Sequence, residues 1–415
     1  MRRPLMLLAV LALALAGCEK KASPPPVEAP ATGQAPAASD PKGAQATATP
    51  PAPGAAQGAA PADPDVILVG EVGSLTGPEA TFGVSARNGI ELALDEVNAA
   101  GGVRGRKVQV RVYDSQGRPE EGAQAATRLI TQDKVVAILG EAASSVSMAM
   151  AEKAQAGKVP MITPTSTSAE VTKKGDYIFR VCFIDEFQGL VMAKFAKENL
   201  ALSRVAMLRD NKSAFSMGLA DVFKAKFEEF GGKVVADESY SKGDTDFRAQ
   251  LTALKQVKPE AVFVPGYYTD VGIIARQARE VGLKVPLLGG DGWDSDKLFE
   301  LGGSALEGSY FSNHYSPGNP DPVLQAFLAR YKQRYGSVPD SVAALAYDAA
   351  RVLVEAMKRT SDLSGPALRD AIAQTKDFPG VAGRITLDAN RDAVKEAVVL
   401  KVADGKAEFV TTVKP

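Results

Sequence analysis

Two hydroxyl-rich turns carry most of the chemistry this sequence offers. An apolar run at 135–139 leads into Gly140-Glu141-Ala142-Ala143-Ser144-Ser145, and another at 160–162 leads into Thr163-Pro164-Thr165-Ser166-Thr167-Ser168. At the carboxyl end of a strand, short hydroxyl side chains and the free N–H groups of the next helix receive negative charge. One such turn is ordinary helix capping. Two in succession point to a carboxylate-binding crevice. Asp291, set in Gly289-Gly290-Asp291-Gly292, fits either an Asx-turn or an acceptor for positive charge. Other chemistries lack their residues. His314 is the only histidine, so any Ser–His pair has to use it, and an enzyme is not expected. Too few His and Cys ligands are present for a metal site. Gly70, Gly73 and Gly77 do not have the spacing of a dinucleotide loop. Neither metal nor cofactor is expected.

The elements that must position these turns follow a strand–helix rhythm. Short apolar runs alternate with helical stretches at intervals of about 25 to 30 residues, the pattern of βαβ units and parallel sheets. Strands are expected at 66–72, 108–113, 135–139, 160–162, 204–208, 233–239, 261–264 and 286–288. Helices are expected at 84–98, 120–132, 146–156, 186–199, 217–230, 247–257, 271–281, 322–335, 341–360 and 365–375. The first has Ile90, Leu94 and Val97 on one face and ends at Gly101-Gly102. The segment 383–413 alternates, and Asp404-Gly405 between its apolar runs predicts a β-hairpin.

The amino-terminal part reads as address and tether. Met1-Arg2-Arg3-Pro4, an apolar run over 5–16 and then Leu15-Ala16-Gly17-Cys18 predict a lipoprotein signal peptide over 1–17, with Cys18 lipidated as the mature terminus. Glu19 rather than Asp follows it, which under enterobacterial sorting does not call for retention in the inner membrane. Residues 19–64 comprise 46 positions, of which 15 are Ala and 11 Pro. Such a segment cannot build a core and predicts a disordered spacer, roughly 140 Å long if drawn into polyproline II. Cys182 is the only other cysteine; beside Val181 and Phe183 it reads as a small buried hydrophobe. Residues 65–415 exceed the usual size of a single core, so two lobes are expected. With 48 basic and 49 acidic side chains, nucleic acid is not an expected partner.

Several stretches carry a family resemblance: the residues from Val69-Gly70 to Gly77-Pro78, Asn98-Ala99-Ala100-Gly101-Gly102-Val103-Arg104-Gly105, Met161-Ile162-Thr163-Pro164, and Arg276-Gln277-Ala278-Arg279-Glu280-Val281-Gly282-Leu283. Over nearly all of 65–415 the chain resembles the branched-chain (Leu/Ile/Val) amino acid-binding proteins of ABC transporters. The resemblance implies an α/β, bilobal type I periplasmic binding fold: two doubly wound parallel-sheet lobes joined by three hinge crossings. It assigns 65–184 with 312–383 to one lobe and 185–311 with 384–415 to the other. The function it implies is that of a monomeric binding protein in the periplasm or cell envelope, tethered to a membrane through Cys18. It would close on a small amino acid and deliver it to an ABC permease. A sensory receptor for an amino acid or amide, coupled to a membrane signalling protein, is the rival reading.

The same resemblance distributes ligand contacts. Ser144 falls where a serine hydroxyl meets the ligand α-carboxylate, Thr165 where backbone groups reach the ligand, and Thr167 where a threonine bonds its charged end. Asp291 falls where an acidic residue faces the α-ammonium from the other lobe, and Tyr267 matches an aromatic residue of that lobe. Phe82 and Phe215 replace tyrosines that commonly line the pocket, which suits apolar side chains. Trp293, two residues beyond Asp291, admits two readings: a platform for the ligand or a packing residue at the cleft mouth. His314 is expected at a hinge or cleft rim, its alternative being an ordinary structural histidine. Gly117 and Ala143 stand where leucine-binding members have a disulfide.

Overall fold

The computed structural model describes residues 65–415. The expected signal peptide, Cys18 and the Ala/Pro-rich spacer lie outside the described residues. Along the first part of the chain, β1 (Val66–Gly73), α1 (Ala80–Ala99), β2 (Lys107–Asp114), α2 (Pro119–Arg128), β3 (Ile138–Gly140), α3 (Ser144–Gly157), β4 (Met161–Thr163) and β5 (Ile178–Arg180) alternate. Their strands form a parallel sheet in the order β2-β1-β3-β4-β5. The next elements are α4 (Asp185–Lys194), β6 (Arg204–Asp210), α5 (Ala214–Glu229), β7 (Lys233–Tyr240), α6 (Arg248–Gln256), β8 (Ala261–Phe263), α7 (Tyr268–Glu280), β9 (Leu287–Gly289), α8 (Asp296–Gly302) and β10 (Tyr310–Asn313).

The chain then returns with α9 (Pro322–Tyr335), α10 (Ser341–Arg359) and α11 (Gly365–Ala373). It forms a small antiparallel sheet from β11 (Phe378–Gly380), β12 (Gly383–Leu387) and β13 (Ala393–Val394), and ends in β14 (Ala397–Ala403) and β15 (Lys406–Val413). The second large sheet runs β15-β14-β10-β9-β8-β6-β7, with β14 antiparallel to both of its neighbours.

The same doubly wound order occurs twice, as β2-β1-β3-β4-β5 and as β7-β6-β8-β9-β10. Strand order reverses between β1 and β3 and again between β6 and β8, and in such sheets the crevice beyond the strands' carboxyl ends at the reversal is where ligands bind. Strands covered by helices on both faces read as unbroken apolar runs, and β3, β4, β5, β8 and β9 are buried throughout. Helix α10, rich in alanine and buried along most of its length, packs on α1. Contact is close enough that a Cβ at Gly89 would lie 2.1 Å from the Ala343 carbonyl oxygen, so the seam requires glycine.

Several expectations shift in detail. The strand expected from 135 is paired as β3 only from Ile138, although Val136 N still bonds Leu68 O at 2.9 Å. Helix α1 begins at Ala80 rather than 84, which places Phe82 in its first turn. The hairpin forms about the expected turn but over 397–413 rather than 383–413, with Asp404 at φ 51° and Gly405 at φ 70°, the two left-handed positions a tight two-residue turn requires. Strands β5 and β10 and the small sheet were not anticipated. The small sheet is tied to the first lobe: Arg391 N–H groups reach Ile178 O and Thr172 O, and Asp392 pairs with Arg180. The last crossing into the second sheet therefore falls after Val394 rather than at 383. The other two lie between β5 and α4 and between β10 and α9.

Candidate functional site

The two hydroxyl turns are knitted into one wall. Thr163 Oγ1 donates to Glu141 O at 2.6 Å, while Ser166 Oγ lies 3.0 Å from both Glu141 O and Ala142 O and 2.7 Å from Ser147 Oγ. Ser144 opens α3, and its Oγ accepts from Ser168 N at 3.3 Å. Thr167 O accepts from Asp185 N at 3.0 Å, which fastens the second turn to the first residue of α4. Arg180, wholly buried on β5, holds this turn from beneath. Its guanidinium bonds Ser166 O, Ser168 O at 2.8 Å, Thr172 Oγ1 at 3.1 Å and Asp392 at 2.6 Å. Glu141 anchors the first turn, its carboxyl accepting from Ser74 Oγ at 2.5 Å, Ala143 N at 2.6 Å and Ser115 Oγ at 3.1 Å. Burial pushes its pKa up, and these donors oppose the shift in part. The chain enters this turn through Gly140 at φ 114°, where a Cβ would strike Val72 O at 2.1 Å.

The opposite wall belongs to the second lobe. Phe215 sits in the first turn of α5, whose start Ser213 caps by accepting from Ser216 N. Tyr267 immediately precedes α7, its ring stacked on Phe215 at 5.2 Å and edge-on to Phe82 of the first lobe at 5.9 Å. Asp291 follows β9. Its N–H donates to Gln188 Oε1 at 2.7 Å and its Oδ2 lies 3.0 Å from His314 Nε2, whereas its buried Oδ1 has no hydrogen-bond partner among the described residues.

One cavity brings together Ser144, Thr165 and Thr167 with Phe82, Phe215, Tyr267 and Asp291. Seven of the eight ligand residues expected from sequence line it. Trp293 does not. Its ring is fully buried, its Nε1 donates to Val264 O at 3.0 Å, and it packs 5.8 Å from Phe311 beneath Gly289, so it is a core residue of the second lobe and neither platform nor cleft-mouth contact. Sequence reasoning missed Ala142, Gly292, Ser341 and Val342 on the lining. For the last two a signal existed: Asp340 caps α10, accepting from Ala343 N at 2.8 Å, and the helix start it marks points at the cleft. His314 lies on a crossing as expected, but buried rather than at a rim, its ring stacked 3.8 Å from Phe183. Burial pushes its pKa below the ordinary histidine value, with Asp291 opposing. Asp185, also buried nearby, is pushed well above the carboxylate range by burial and by Asp291.

The lobes meet around this cavity, which encloses about 20 Å³, room for little more than one water. Tyr268 Oη and Thr269 Oγ1 donate to Pro78 O at 2.9 and 2.8 Å, Ala214 N donates to Ser145 Oγ at 3.0 Å, and Ser341 N donates to Asp294 Oδ2 at 2.6 Å. Lys242 reaches across to Glu79 at 2.9 Å and to Gly117 O at 3.0 Å. The described residues contain no cluster suited to a metal ion and no helix long and apolar enough to cross a membrane.

Residues 66–407 match the family model described as periplasmic binding protein. The Leu/Ile/Val-binding protein BraC3 of Rhizobium johnstonii is 31% identical over 338 residues, covering 80% of this chain and 90% of that protein. Among solved structures, the leucine binding protein LivK from Thermotoga maritima superposes with a TM-score of 0.81 at 38% identity, over 84% of this chain and 99% of its own. The branched-chain amino acid transporter substrate binding protein LivJ from Streptococcus pneumoniae, in complex with isoleucine, gives 0.80 at 35% identity, over 84% and 100%.

Proposed function

The chain belongs to the periplasmic binding protein family, and from that premise we propose that it is the lipid-anchored solute-binding component of an ABC importer, taking an amino acid with an apolar, branched side chain. The observation that carries this reading is the division of polar groups across one cavity: hydroxyls of Ser144, Thr165 and Thr167 on one lobe, the unpartnered Oδ1 of Asp291 on the other. An α-amino acid is a zwitterion. Burying it requires donors at one end and an acceptor at the other, since an unpaired buried ion costs several kcal/mol. Phe82, Phe215, Tyr267 and Val342 supply an apolar surround for the side chain, as do pockets for small ligands generally.

Binding is hinge closure without chemistry. A cavity of about 20 Å³ admits no amino acid unless the lobes part. Ligand then meets the hydroxyl wall first and recruits Asp291 and Tyr267 as the lobes close, stabilising the closed form by contacts absent from the open one. The relatives named for Leu/Ile/Val binding and the isoleucine complex support the ligand class. Calorimetric titration of the protein with leucine, isoleucine and valine tests the reading: saturable one-to-one binding of at least one is expected, and failure of all three would remove the branched-chain assignment. Tethering through Cys18 predicts that Cys18→Ser releases the protein from the membrane fraction.

A further inference from the structure

A second cavity, of about 500 Å³, lies at the crossings between the lobes, and His314 and Lys395 both line it. His314 is on the crossing between β10 and α9, Lys395 on that between β13 and β14. Both side chains are more than nine-tenths buried, and both present an atom without a hydrogen-bond partner among the described residues, Nδ1 of His314 and Nζ of Lys395. Buried polar atoms are almost always paired, so two orphaned nitrogens on one cavity, a donor at Nζ and a protonatable site at Nδ1, mark an unfilled polar position.

The acidic side chains around the cavity are already engaged. Asp348 accepts from Val381 N and Ala382 N at 2.7 and 3.0 Å, Asp321 caps α9 by accepting from Val323 N and Leu324 N, and Glu396 lies 3.6 Å from Lys414. Arg384, at the exposed mouth, adds positive charge. The other face of His314 bonds Asp291. Asp294 and the buried Cys182 also lie close to this pair, and the positive charge of Lys395 works against protonation of His314. Burial brings Lys395 down to about 8, with Asp348 opposing, so the ammonium form persists at neutral pH.

We propose that this cavity binds a small carboxylate, received by Lys395 Nζ and by His314 Nδ1. With Nε2–H donating to Asp291, Nδ1 of neutral imidazole is a lone pair, so donation to a carboxylate requires the imidazolium. Binding therefore takes up one proton, and the imidazolium then bridges two carboxylates, Asp291 in the cleft and the bound one behind it. This site is distinct from the amino acid cleft, and its test does not depend on the cleft's ligand.

Because the chain has a single histidine, ¹⁵N-histidine labelling of the full chain reports His314 alone. Titration with acetate at constant ionic strength is expected to move the Nδ1 resonance saturably toward its protonated position. Lys395→Met weakens that response roughly tenfold or more, the loss expected for one charge-assisted hydrogen bond, with Lys395→Gln as second variant should the first fail to fold. Ser144→Ala leaves it unchanged. No saturable shift in the native chain, a shift reproduced by sodium chloride at the same ionic strength, or a response abolished by Ser144→Ala but not by the Lys395 variants would overturn the proposal.

Discussion

Asp291 is the residue on which the zwitterion reading turns, because one of its carboxylate oxygens is held by His314 while the other is left to the cavity. Asp291→Ala should weaken leucine binding on the order of a hundredfold, the usual consequence of truncating one partner of a buried charge pair, and calorimetry reads it directly. Glu71 on β1 is buried with both oxygens unpartnered among the described residues, and its pKa is raised to about 8, chiefly by burial. The folded chain retains a proton that the unfolded chain releases near 4.5, the ordinary value for a glutamate. Stability contributed by this group is therefore present at low pH and lost as pH rises from there toward 8. Urea titrations at pH 5 and pH 8 should show Glu71→Met gaining a few kcal/mol relative to the native chain at the higher pH and much less at the lower. The hydroxyl turns were legible in the sequence because their position after apolar strands specifies what they face, whereas Asp291 took its role from the family resemblance, its own setting between glycines fitting an Asx-turn equally well. The pairing of Asp291 with His314 was not legible, since it joins two loops whose meeting depends on the whole second sheet. Trp293 was misjudged because two residues of separation from Asp291 say nothing about direction, and its side chain points into the core.

Among the elements, β5 does more than its three residues suggest. Arg180 on it fastens the turn that presents Thr165 and Thr167, and through Asp392 it binds the small sheet to the first lobe. Arg180→Met leaves Asp392 without its guanidinium partner at a buried site, so a loss of about 3–5 kcal/mol is expected, measurable as a lower urea midpoint at unchanged slope. The longer strands β1, β2, β6 and β7 and most helices could be read from periodicity. Strands β4, β8 and β9 are as short but read as apolar runs, whereas β5 ends in Arg180 and β10 in Ser312-Asn313, and these two escaped notice although each borders a crossing. The start of α1 was placed late because its first turn, Ala80 to Gly83, has little helical signature and is fixed instead by packing: a Cβ at Gly83 would lie 2.1 Å from Ser74 O.

For the molecule as a whole, the balance between open and closed lobes sets affinity as much as the ligand contacts do, because binding competes with whatever holds the lobes apart or together. Lys242 spans the lobes to Glu79 and Gly117 O without lining the amino acid cavity. Lys242→Met should therefore weaken leucine binding severalfold through faster release, the modest scale of a partly exposed ion pair, with association little changed in stopped-flow traces. Bilobal architecture was legible from length and from the repeated strand–helix rhythm. The last crossing was not, since the segment 383–413 alternates as a whole, and it is the hydrogen bonds from the turns around β12 to α10, to β5 and to the turn flanking β5 that assign the small sheet to the first lobe.

Cys182 lies on the first crossing with no exposed surface, its Sγ 3.5 Å from Ser166 O and its thiol pushed up to about 12 by burial. An alkylating reagent cannot reach it while the lobes' roots are packed, and the thiolate hardly forms there. Its modification rate is thus a clock wound by the fold itself: each adduct records one excursion in which the crossings came apart, and slowing of that clock by a ligand would measure, in time rather than in heat, how firmly the two halves are held.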